Sequence, residues 1–145
     1  PEEPLDLVER LALTRFGPFA ECNLSALLQL VRVQEEVRIP AGTEFWRSGD
    51  PSKWGFQIAY GVVMCTGDDR VFRMGPGSVL GFLEANGGVP RSYGAVAETE
   101  VGALKSDADA YADVLENNFG LASTFLSFLA HWVLEQTARC ADAGV

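Results

Sequence analysis

The segment Gly81-Phe82-Leu83-Glu84-Ala85-Asn86-Gly87-Gly88-Val89-Pro90-Arg91-Ser92 sets a glycine turn, a short helix-prone stretch, a diglycine loop and a lone arginine in an order suited to gripping a phosphate. Backbone N–H groups at a helix start carry partial positive charge and have no partner within the helix. An anion can rest on them while a guanidinium supplies a full charge and a bidentate fork. Gly81, Phe82, Leu83, Glu84, Arg91 and Ser92 are therefore the candidate ligand-binding residues. Arg91 is open to two readings: a phosphate ligand, or a buried guanidinium satisfied from within by Glu84. The internal pair is preferred, because a buried guanidinium needs a partner and Glu84 is close in sequence.

Other chemistries find few residues to work with. His131 is the only histidine and falls in a helical segment, so neither a catalytic triad nor a multi-histidine metal site can be assembled around it. Cys22, Cys65 and Cys140 are odd in number, far apart, and form no C-x-x-C pair, which speaks against a disulfide framework and against zinc or iron–sulfur ligation. The reading is of a protein that is not an enzyme and carries no metal or cofactor. Twenty Asp and Glu against eleven Lys and Arg give a net charge of -9, a surface that repels nucleic acid and anionic lipid. No apolar run approaches the roughly 20 residues that span a bilayer, and the expected location is the cytoplasm. The chain opens on Pro1 without a methionine, which suggests a domain excised from a longer protein.

The elements that must position the cassette can be read from periodicity. Apolar residues recur at helical spacing from 5 to about 15 and from 24 to 33, with Gly17-Pro18 breaking the two and Asn23 or Ser25 placed as a cap. Between 36 and 105 the texture changes to short β-prone runs at 37–39, 43–46, 56–60, 62–65, 71–74, 79–82, 93–97 and 101–104. Turn signals such as Pro40-Ala41-Gly42, Ser48-Gly49-Asp50-Pro51 and Gly75-Pro76-Gly77 punctuate them. The expected fold is mainly β: an eight-stranded β-roll of the double-stranded jelly-roll type, flanked by helices at both ends. From Ser106-Asp107 the pattern returns to helix, first through Tyr111, Val114 and Leu115, then from about 120 to 139. One domain spans 1–145, with a helical lead over 1–34, the roll over 35–105 and closing helices over 106–145.

In that order, Pro40-Ala41-Gly42, Gly49-Asp50, Gly61, Gly75-Pro76-Gly77, Gly81 and Pro90-Arg91-Ser92 resemble the cyclic-nucleotide-binding domains of catabolite-activator-type regulators, kinase regulatory subunits and gated channels, over roughly 19–136. The resemblance implies that Arg91 pairs with a cyclic phosphate, that the 83–86 backbone adds donors, and that Ser92 assists. It also implies a glutamate after the cassette glycine to accept the ribose 2′-hydroxyl, and here that residue is Phe82. Hydrogen bonds to charged groups contribute roughly 1.5 to 3 kcal/mol, so this change alone weakens nucleotide binding by about one to two orders of magnitude. Glu84 and Tyr93 stand where the family has small residues. Phe82 and Glu84 are read as the residues that close the cassette to ordinary cyclic mononucleotides.

The closing helix is the second informative feature. Leu121, Phe125, Phe128 and Trp132 follow helical spacing on one side, and Ala122, Leu126, Leu129 and Val133 on a neighbouring side, an apolar arc wider than one contact face needs. Phe125, Phe128 and Trp132 are the candidate contact residues for a second copy or another protein. The combined expectation is a regulatory module with a degenerate pocket that works through protein contacts. The alternative is a sensor that binds cyclic AMP, cyclic GMP, cyclic di-GMP or another organic anion through Arg91 and the cassette backbone.

Overall fold

A computed structural model describes residues 4–16 and 22–142, with the side chains of 14–16, Leu83, Asn86, Trp132 and 136–142 outside the description. The Gly17-Pro18 break lies outside the described residues. Two helices lead, α1 (Leu7–Phe16) and α2 (Leu24–Arg32). Asn23 starts α2, its side-chain oxygen accepting from the Ala26 N–H at 2.8 Å. Six strands follow: β1 (Gln34–Ile39), β2 (Glu44–Trp46), β3 (Trp54–Tyr60), β4 (Val63–Thr66), β5 (Val71–Met74) and β6 (Val79–Leu80). A short helix α3 (Phe82–Gly87) separates these from β7 (Gly94–Ala97) and β8 (Val101–Asp107). Asp107 then caps α4 (Ala108–Glu116), and α5 (Phe119–Asp142) ends the description.

The strands form two four-stranded antiparallel sheets, ordered β1-β8-β3-β6 and β2-β7-β4-β5. Neighbours far apart in sequence pair directly, as Val37 and Ile58 do with Ala103 from either side, so β8 is the spine of its sheet. Alternation puts Val101 and Ala103 of β8, Phe56 and Ile58 of β3, Val63 and Cys65 of β4, and Ala95 and Ala97 of β7 into the space between the sheets. The expected eight-stranded roll with flanking helices is what the chain forms, although its five helices together are longer than its strands.

A second core lies among the helices. Leu27 and Leu30 of α2, Tyr111 of α4, and Leu121 and Phe125 of α5 pack with Phe82 of α3. The cassette is therefore wedged between the roll interior and the helical cluster, in contact with both.

Candidate functional site

Gly81 starts α3 in the left-handed region, φ +87°. Glycine is required there twice over. A Cβ would stand 2.9 Å from Arg91 Nη1, from the Trp46 ring and from the Trp54 carbonyl oxygen. The next residue faces the other way. The Phe82 ring sits 4.6 Å from the Tyr111 ring and 6.5 Å from Phe125. It also lies flat against Gly55, where a Cβ would come within 2.4 Å of it. The bulk of Phe82 is thus taken up by the helical core and does not bear on the cassette.

The chain leaves α3 through Gly88, φ +67°, and returns at Arg91. The turn after β2 clamps that return: the Gly49 N–H donates to the Arg91 carbonyl at 2.7 Å, and the Arg91 N–H donates to the Asp50 carbonyl at 2.9 Å. The Asp50 carboxylate holds the turn by accepting from the Arg47 N–H at 2.9 Å. The Gly49-Asp50 motif therefore works directly on the arginine, which is its structural meaning.

Arg91 itself is 3% exposed. Its Nη1 donates to the Gly81 carbonyl and its Nη2 to the Trp54 carbonyl, each at 2.5 Å. Its guanidinium carbon lies 3.8 Å from the centroid of the Trp46 ring, a cation–π contact. The nearest counter-charge is the Glu84 carboxylate, with Oε2 3.6 Å from Nη1. Glu84 is also buried, and its Oε1 accepts from the Ser92 hydroxyl at 3.3 Å. Arg91 Nε and Glu84 Oε2 have no hydrogen-bond partner. Burial lowers the pKa of Arg91, and the Glu84 charge opposes that shift.

Around this pair the roll is filled. Tyr93 packs edge-on against Trp46 at 5.8 Å and Phe72 at 5.5 Å, and the Trp46 indole N–H donates to the Tyr93 carbonyl at 2.8 Å. Burial raises the Tyr93 phenol pKa and pushes the Cys65 thiol up to about 11, the Glu84 charge adding to both shifts.

Gly81, Glu84, Arg91 and Ser92 are thus brought together, Phe82 is turned aside, and the Leu83 side chain lies outside the description. Of the residues expected on the partner face, Phe125 is turned inward and 5% exposed, Phe128 is half-buried and stacked on it at 6.4 Å, and the Trp132 side chain lies outside the description. The exposed side of α5 instead carries Phe119, Ser123, Leu126, Ala130 and Val133 at alternating steps of four and three. Sequence reasoning missed Trp46, the platform under Arg91, and the Trp54 carbonyl. Contacts between residues some forty positions apart leave no local spacing to detect.

No protein-family profile and no curated protein sequence matches the chain. Solved structures do. It is similar to a cyclic nucleotide-binding domain from Methylobacillus flagellatus at 20% identity, covering 94% of this chain and 80% of that one, with a TM-score of 0.77. It is similar to the catabolite activator protein of Thermus thermophilus at 18% identity and a TM-score of 0.77, covering 88% of this chain and 62% of that protein. A third likeness is to the N-terminal domain of a transcriptional regulator from Streptomyces coelicolor, at 22% identity and a TM-score of 0.71, covering 86% of this chain and 94% of that one. The chain has the fold of these domains.

Proposed function

We propose that this chain, as one module over 1–145, is a non-enzymatic regulatory domain of the cyclic-nucleotide-binding fold whose cassette is closed from within by Glu84. The observation that carries the reading is the buried Glu84–Arg91 pair, with side-chain exposures of 8% and 2%. A guanidinium whose Nη atoms already serve two carbonyls and a carboxylate has little left to offer a phosphate, and the carboxylate repels one.

Output then runs through α5. Phe119 is 85% and Leu126 67% exposed, and the small residues Ser123 and Ala130 alternate with the large ones along the same stripe. Such a four-three pattern supports side-by-side packing with the same helix of a second copy, large side chains entering the gaps left by small ones. The partner is a protein, not nucleic acid or membrane: net charge is -9, and no described helix is long and apolar enough to cross a membrane. The reading places the module in the cytoplasm.

A second reading, a sensor for a cyclic nucleotide or another organic anion, draws on the two unpartnered buried atoms, Arg91 Nε and Glu84 Oε2. An anion that displaces Glu84 would satisfy the first and release the second to solvent. Calorimetry with cyclic AMP, cyclic GMP and cyclic di-GMP separates the readings. The closed-cassette reading expects no measurable heat of binding, and a submicromolar Kd for any of the three favours the sensor.

A further inference from the structure

A cleft of about 440 Å³ opens beside the cassette, walled by Phe45, Trp46, Trp54 and Phe56 and bordered by Arg91 and Lys105. Its size falls within the roughly 300–1,000 Å³ usual for small-molecule sites. It meets the cassette at Arg91 but extends away from it, since Glu84, Ser92 and Tyr93 do not line it.

Its electrostatics are specific. Lys105 is opposite Phe56 in the β3–β8 register, and its ammonium stands 4.1 Å from the Trp54 ring centroid. Among the described residues no carboxylate lies within 4 Å of Lys105. Glu35, its register partner on β1, is not in ion-pair contact with it, and Asp107 pairs with Lys53 at 3.7 Å. The one carboxylate at the rim, Asp50, is engaged with the Arg47 N–H. The cleft therefore offers aromatic walls and an ammonium that rests on a ring without a carboxylate partner.

We propose that this cleft binds a small aromatic carboxylate. Its ring would pack among Phe45, Trp54 and Phe56, and its carboxylate would be held by Lys105. A neutral ring lacks the charge that Lys105 is left to meet. A cationic ring is repelled by Lys105 and Arg91.

Naphthalene-1-carboxylate is the probe. Titrated into the unmodified chain and followed by calorimetry and by amide and indole N–H chemical shifts, it is expected to bind saturably, shifting the Trp54 indole and the residues around Lys105. Naphthalene-1-methanol, of the same shape without the charge, should bind at least about tenfold more weakly. Lys105→Met should weaken the carboxylate about tenfold and leave the alcohol unchanged. If Lys105→Met fails to fold, the carboxylate–alcohol ratio on the unmodified chain decides. No saturation at millimolar carboxylate overturns the proposal, as does equal affinity for the two probes. Shifts confined to Glu84, Ser92 and Tyr93 would put the anion in the cassette and overturn it too.

Discussion

The Glu84 carboxylate and the Arg91 guanidinium stand 3.6 Å apart with less than a tenth of either side chain exposed. Each is the other's nearest opposite charge, and each keeps one polar atom without a hydrogen bond. A pair of this kind contributes little net stability relative to an apolar filling, but removing one partner strands the other charge in a buried place.

Glu84→Ala is therefore expected to lower stability by about 3–5 kcal/mol, read as a fall in the urea midpoint. Glu84→Gln, which keeps an acceptor for Ser92 but not the charge, should lose less. A Glu84→Ala variant as stable as the unmodified protein would show that Arg91 does not depend on this partner.

Phe82→Glu, which the sequence alone suggests as a repair of the ribose contact, places a carboxylate among Leu27, Tyr111 and Phe125. It should cost at least about 3 kcal/mol and restore no nucleotide binding, while Phe82→Leu should cost under about 1.5 kcal/mol. Denaturant unfolding of both variants checks the contrast. A well-folded Phe82→Glu protein would place the side chain at the cassette after all.

Gly81→Ala meets a positive φ and three atoms at 2.9 Å together. A loss of at least about 2 kcal/mol is expected, with the near-ultraviolet dichroism of the tryptophans altered because Trp46 must give way. An unchanged spectrum with unchanged stability would contradict the packing described.

Above neutrality the Cys65 thiol governs part of the pH dependence. Its folded pKa of about 11 lies above the ordinary value, so the folded state holds the proton longer than the unfolded chain does. Stability is accordingly unaffected by this group below about pH 9 and falls between about 9 and 11. Cys65→Ala should flatten that part of the curve. Thiol labelling at pH 8 should reach Cys65 only on unfolding, and labelling of the folded chain at the rate of a free thiol would refute the burial.

On α5, Phe119→Glu and Leu126→Glu put charge on stripe side chains that are 85% and 67% exposed. Sedimentation should show the unmodified chain as a dimer at tens of micromolar and the variants as monomers of unchanged stability. A monomeric unmodified chain would remove self-association from the account.

Much of this molecule was legible in the sequence. The eight β-prone runs fall on the eight strands, with 79–82 running two residues past β6, because short β-prone runs set between turns are a local signal. Of the two cap candidates Asn23 and Ser25, Asn23 caps α2, and within the Ser106-Asp107 start Asp107 caps α4. Closeness in sequence and a buried guanidinium's need for a partner pointed to the Glu84–Arg91 pair, and the two side chains do meet. The direction of Phe82 was not legible, because a residue beside a left-handed glycine can face either core, and which one depends on the room Gly55 leaves across the fold. Phe125 misled in a related way: helical spacing gives an apolar arc but not which part of it the α2 and α4 side chains cover.

The central claim is that Glu84 holds the place an anion would take against Arg91. Thermal melting of the unmodified chain and of Glu84→Ala across a cyclic AMP series tests it most directly. The account predicts a Tm independent of cyclic AMP for the unmodified chain and a Tm that rises with cyclic AMP for Glu84→Ala, an increase lost again in Glu84→Ala with Arg91→Ala. A nucleotide-dependent rise already present in the unmodified chain, or its absence from a folded Glu84→Ala protein, would contradict it.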